Sequence, residues 1–178
     1  MMNFNELDAH ITKYIQGNWN QFEVMKEYVE KLQPGEVYLE IGTDEGKSFR
    51  LVHEYAKEGV IKIAIDIHDV VPQSKSIGRA PFMEQEGIVG INRTGFYIHG
   101  DADQFSKVWN HPIQLLMIDG HHDYDSVKNN TLLWEGFVPK GGTILFHDYD
   151  HPETKRWLDE HYGDNKELRE GKVIVVHK

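Results

Sequence analysis

The chain has 178 residues, 39% apolar and 27% charged, the make-up of one soluble domain able to bury roughly 70% of its unfolded surface. It has no cysteine, which excludes disulfides, thiolate nucleophiles and zinc–sulfur sites, and its formal net charge of −10 repels polyanions, so no nucleic-acid partner is expected. No apolar run approaches the roughly 18 residues of a membrane span, and the opening MMNFNELDAH lacks the basic and apolar regions of a signal peptide. A cytoplasmic protein without a membrane partner is the expectation.

Phe4, Leu7, Ile11, Tyr14 and Ile15 recur at three- and four-residue spacing and predict a helix over 4–15. Trp19, Phe22, Met25, Val29 and Leu32 predict a second, with Asn20 and Glu23 in the spacing of a capping box and QPG (33–35) closing it. EVYLEIG (36–42) predicts a buried strand, followed by a glycine-containing loop and a helix to about residue 58. GVIKIAID (59–66), GFYIHGD (95–101) and PIQLLMIDG (112–120) predict three more strands. Val127, Thr131, Trp134 and Val138 share one face of a helix over 125–137. TILFHD (143–148) predicts a fifth strand, ETKRWLDEHYG (153–163) a short helix and KVIVVHK (172–178) a last strand. The segment 69–94 is rich in Pro, Gly and Ser, only weakly periodic, and long enough to predict a functional lid over an acceptor.

Strands that alternate with helices and read as near-continuous apolar runs argue for an α/β fold: a doubly wound, mostly parallel sheet with helices on both faces, here as one domain over 1–178. Ligands of such folds bind at the carboxyl ends of the strands. Glu40, Asp66, Asp101, Asp119 and Asp148 all fall at or just past a predicted strand end, which predicts one convergent site.

In EIGTDEGKS (40–48), Gly42 and Gly46 allow unusual dihedrals and a close backbone approach, while Asp44 and Glu45 would repel a pyrophosphate. The loop suits a cationic or zwitterionic ligand. Asp66, 20 residues past Gly46 at a strand end, is placed to take ribose hydroxyls, and GDADQF (100–105) to contact a base. A nucleoside without phosphates is the ligand these positions predict.

The stretches YLEIGTDEGKS, IAIDIHD, GDADQF, LLMIDGHHDYDSVKNN and VPKGGTILFHDYD resemble, in order and spacing, the class I S-adenosylmethionine-dependent methyltransferases. The resemblance covers about residues 36–150 and is greatest to the branch with metal-dependent O-methyltransferases of antibiotic sugars. It implies a Rossmann-like sheet and S-adenosylmethionine as cofactor. Gly42 and Gly46 would flank the methionine part, with Glu40 near that loop. Asp66 would hold the ribose, and Asp101 with Ala102 would lie near the adenine. Thr43, Ser48, Ile67 and Asp119 complete the expected cofactor-binding set. By the same resemblance His122 matches a histidine that acts as general base, with His121 as the competing choice.

Asp119, His147 and Asp148 close adjacent strands, and an Asp/His/Asp set with open positions suits Mg²⁺ or Mn²⁺. An imidazole in the set disfavours Mg²⁺, and the metal-dependent relatives often carry an acid pair where His147-Asp148 stands, so a site without metal stays open. The expected acceptor is a small-molecule hydroxyl, including that of a sugar. Two other readings remain. Asp66-x-His68, Asp101, His121-His122 and His147 mimic the ligand order of metallophosphoesterases, but that family's GNH and GHxH motifs are absent and the glycine loop would have no role. A nucleoside-binding domain without catalysis is the other. With one clear strand after the fifth, the sheet is expected to lack a strand, leaving an edge for a homodimer to cover.

Overall fold

A computed structural model describes residues 13, 19–44, 46–67 and 95–178. The predicted helix over 4–15, apart from Lys13, and the predicted lid over 69–94 lie outside the described residues, as does His68. Helix α1 (Trp19–Val29) leads into β1 (Val37–Ile41), α2 (Lys47–Tyr55) and β2 (Ile61–Asp66). Then come β3 (Gly95–His99), α3 (Ala102–Ser106), β4 (Leu115–Ile118), α4 (Tyr124–Trp134) and a 3₁₀ turn (Glu135–Phe137). Strand β5 (Thr143–Phe146), α5 (Pro152–Tyr162), β6 (Glu167–Arg169) and β7 (Val173–His177) complete the described elements.

The strands form one sheet in the order β3-β2-β1-β4-β5-β7-β6. The first five are parallel to their neighbours, while β7 runs antiparallel to both β5 and β6. Every residue of β1, β4 and β5 is buried, which is why these strands read as unbroken apolar runs instead of alternating ones. Alternation still decides which layer each side chain enters. Tyr38, Leu115, Met117 and Leu145 join Val24, Met25, Val29, Phe49 and Val52 beneath α1 and α2. Leu39, Ile41, Leu116, Ile118 and Phe146 join Val127, Trp134, Trp157 and Leu158 beneath α4 and α5.

The strand order reverses between β1 and β4: β2 and β3 lie on one side, the later strands on the other. An open crevice forms at such a switch point beyond the carboxyl ends of the strands.

Two elements differ from the sequence reading. Strand β6 fills the position expected to be vacant, pairing Leu168 with Ile174 of β7. The ground for inferring a homodimer from a missing strand is therefore gone. Helix α3 also follows β3 directly, an element the sequence reading did not assign. It is a single turn and a half begun by Asp101, whose side chain accepts from the backbone N–H of Asp103 at 2.8 Å. Asn20, read as an N-cap, lies inside α1.

Candidate active site

Backbone hydrogen bonds carry the ladder past the strand ends and so fix the residues that leave them. Gly42 N–H donates to the Ile65 carbonyl, Gly100 N–H to Asp66 and Asp119 N–H to Ile41, each at 2.9 Å. Beyond β1 the loop takes left-handed dihedrals at Gly42 (φ 83°), Asp44 (φ 45°) and Gly46 (φ 81°). The turn directs the N–H groups of Thr43 and Asp44 onto one oxygen of Asp66, at 2.8 and 2.9 Å. A side chain at Gly42 is impossible, since a Cβ there would sit 2.3 Å from the Asp119 carbonyl oxygen. The glycine is the condition for packing the first loop against the end of β4.

A cleft of about 560 Å³ opens over these ends, within the usual range for small-ligand sites. Gly42, Asp66, Ile67, Asp101, Ala102, Asp119, His121, His122, His147 and Asp148 all line it, so most of the sequence-predicted set converges. A second cavity of about 120 Å³ adjoins it beneath α1 and shares Gly42, Asp44, Asp119 and His147. Thr43 and Ser48 line this smaller space with Gln21, Phe22, Met25 and Lys47. The Thr43 side chain is buried there and helps to hold down the pKa of the neighbouring Glu40 carboxylate.

Glu40 lines neither cavity. It is fully buried on the α1/α2 side of β1, the face that Tyr38 shares. Tyr38 Oη and Ser48 Oγ each donate to its carboxylate at 2.5 Å, tying β1 to the start of α2. Burial pushes its pKa up to about 7, against the pull of those two hydroxyls. Ser48 at the start of α2 and Thr43 in the loop both pull its pKa down. Gly46 is the residue before α2 and shapes the loop from outside both cavities.

The titratable cluster is tightly joined. His147 Nδ1 lies 3.3 Å from Asp119 Oδ1 and 3.1 Å from Asp148 Oδ2. Its Nε2 lies 3.1 Å from Gln21 Oε1 on α1. Burial disfavours the charged ring, but the two carboxylates outweigh it and push the His147 pKa up to about 10. At neutral pH both ring nitrogens therefore carry protons, and His147 donates to the acids and to Gln21. His147 in turn holds Asp148 down at about 2, despite partial burial. Asp148 sits in the left-handed region (φ 53°), a strain that residues at functional sites often carry.

His122 Nε2 approaches the same Asp148 oxygen at 3.3 Å. Among the described residues, Asp119, His122 and Asp148 bring ligand atoms within 4.8 Å of one another, while His147 of the expected set contacts both acids at 3.3 and 3.1 Å. His121 lines the cleft without joining the cluster.

Several lining residues escaped the sequence reading: Gln21, Ser126, Asn129 and Asn130. The asparagine pair left a signal, because two consecutive asparagines inside a helix go against helix propensity. Gln21 left none. Among the histidines given a local role, His99 Nε2 meets the Ile67 carbonyl at 3.2 Å. Trp134 and Trp157 are core, as their spacing predicts.

The family described as "Methyltransferase domain" matches residues 39–149. A curated relative, an uncharacterized protein of Acanthamoeba polyphaga mimivirus, is 31% identical over 133 residues, which cover 67% of this chain and 53% of the relative. The chain thus spans about half the length of the curated relative it matches. Among solved structures, the apo form of a TDP-rhamnose 3'-O-methyltransferase of calicheamicin biosynthesis is similar at a TM-score of 0.70 and 14% identity, over 97% of this chain and 84% of that one. An O-methyltransferase from Bacillus cereus in complex with SAH is similar at a TM-score of 0.66 and 12% identity, over 96% and 90%. At such identities the likeness is one of fold.

Proposed function

The chain belongs to the family of class I, S-adenosylmethionine-dependent methyltransferase domains, and on that premise we propose that it transfers a methyl group from S-adenosylmethionine to a hydroxyl of a small molecule. The observation that carries the reading is the joining of two arrangements in one cleft. Gly42, Asp66 and Asp101 line the cleft, and the same cleft holds the His122–Asp148 pair and Asp119.

The residues fit the cofactor. Asp66 offers a carboxylate to ribose hydroxyls, and Asp101, Ala102 and Ile67 border the space for the adenine. Thr43 and Ser48 line the smaller cavity, where the methionine end would enter past Gly42. When bound, S-adenosylmethionine supplies a methyl group on a positively charged sulfur.

The chain's own work is positioning and proton removal. With Nε2–H held toward Asp148, His122 presents Nδ1 to the acceptor hydroxyl and takes its proton as the new C–O bond forms. Asp148, kept ionised by His147, stabilises the imidazolium that results. The Gln21–His147 hydrogen bond ties α1 to the end of β5 at the smaller cavity.

A second reading has its own observation. Asp119, His122 and Asp148 fit a divalent ion such as Mg²⁺ or Mn²⁺, which would lower the pKa of an acceptor hydroxyl. His122 is then a ligand, and the proton falls to His121.

The test is methyl transfer from isotopically labelled S-adenosylmethionine to a panel of hydroxyl compounds, with and without chelator. Methyl-ether products are expected, with the rate falling about 10²–10⁴-fold in His122→Ala. Persistence in chelator supports the base reading. Loss that Mn²⁺ restores supports the metal reading, and products methylated only on nitrogen or carbon contradict O-methylation.

A further inference from the structure

His122 stands at the end of a longer chain of contacts. His122 Nε2 and His147 Nδ1 approach the same oxygen of Asp148, Oδ2, at 3.3 and 3.1 Å. His147 Nδ1 also lies 3.3 Å from Asp119 Oδ1, and its other nitrogen, Nε2, lies 3.1 Å from Gln21 Oε1. The chain runs from α1, through the end of β5, to the loop after β4: Gln21, His147, Asp148, His122. An amide oxygen only accepts, so His147 Nε2 carries the proton of the bond to Gln21. Partners at both nitrogens fix the ring, because turning it over would take Nδ1 from the acids and Nε2 from Gln21. Asp148, the link to His122, holds a left-handed φ of 53°, a conformation that the contacts around it must maintain. Gln21 lies in the first turn of α1 and borders the smaller cavity with Phe22 and Met25. Packing there asks only for an apolar surface, as its two neighbours supply. The amide aimed at His147 is an addition to that packing.

From this we propose that Gln21 is a positioning residue for proton removal: it fixes the His147 ring, His147 fixes the Asp148 carboxylate, and Asp148 fixes His122 with Nδ1 toward the acceptor. The inference rests on the methyltransferase reading with His122 as the base. A base oriented by a third group is the general form of such an arrangement, and here the orienting group is itself oriented from another element. Without the amide, His147 is free to turn. Asp119 and Asp148 then lose the donor between them and repel, and the Asp148 oxygen leaves His122. The seat of α1 beside the smaller cavity and the aim of the base are thereby one arrangement.

The experiment compares the full chain as wild type, Gln21→Met and Gln21→Glu, each shown to be folded by circular dichroism. Methionine keeps the length and helix propensity of glutamine without the acceptor, and glutamate restores an oxygen in the same place. Long-range ¹H–¹⁵N spectra of the histidine rings are expected to show the His147 and His122 signals displaced in Gln21→Met and returned toward wild type in Gln21→Glu. Methyl transfer from labelled S-adenosylmethionine should fall about tenfold in kcat for Gln21→Met, with KM for the donor changed less than about twofold. Gln21→Glu should recover most of that rate. In a His122→Ala background Gln21→Met should cost nothing further, since it acts through that base. Ring signals unmoved in Gln21→Met, a loss confined to KM, or an undiminished loss in the His122→Ala background overturns the proposal and leaves the methyltransferase reading in place. No methyl transfer by the wild type to any hydroxyl compound removes that reading, and the catalytic role of Gln21 with it.

Discussion

Asp66 does two things at once. Its carboxylate accepts from Thr43 and Asp44 and so holds the first loop, and it borders the cleft where a ribose would lie. Few single positions are as informative, because losing it disturbs both loop and ligand. Gly42 is the steric counterpart. With φ at 83° and the Asp119 carbonyl where a Cβ would go, Gly42→Ala should cost on the order of 3 kcal/mol in chemical denaturation and abolish donor binding. Glu40 sets a pH dependence. Its folded pKa, about 7, lies above the ordinary 4.5, so the folded state prefers the neutral acid. The stability it contributes is complete below pH 4.5 and is lost as pH rises through 7. Thermal melts of the wild type minus those of Glu40→Gln should therefore show a decline across that window. A difference that is flat with pH would contradict the buried, neutral acid.

At the scale of elements, the strands that position the site were legible because burial on both faces writes them as apolar runs. The acids at their ends stood out against those runs. Strand β6 was not legible: Glu-Leu-Arg is three residues long, with Leu168 half exposed, so neither alternation nor apolarity marks it. The turn of His147 toward the acids and Gln21 was equally hidden, because only the fold brings these groups together. The approach of Gln21 depends on how α1 packs over the sheet, a contact 126 residues apart in sequence. Asp123, at the head of α4, caps it by accepting from Ser126 N–H at 3.0 Å. Asp123→Ala should cost about 1 kcal/mol and lower the melting temperature by roughly 2–4 °C. It should also weaken acceptor use, because α4 presents Ser126, Asn129 and Asn130 to the cleft.

For the whole molecule, one asymmetry organises the chemistry: the carboxyl ends of the parallel strands collect carboxylates and imidazoles around a switch point, and the layers beneath are apolar. Among the described residues no helix is long and apolar enough to cross a membrane. The chain carries a formal charge of −10, and Asp44, Asp66, Asp101, Asp103, Asp119 and Asp148 line the cleft. The most direct test of a nucleoside-type cofactor in this cleft is a calorimetric titration of S-adenosylmethionine into the wild type and into Asp66→Ala, with far-ultraviolet circular dichroism confirming that both are folded. One-site binding by the wild type, weakened at least about tenfold in the variant, is the expected result. Equal binding by both folded proteins, or none by the wild type, would contradict it.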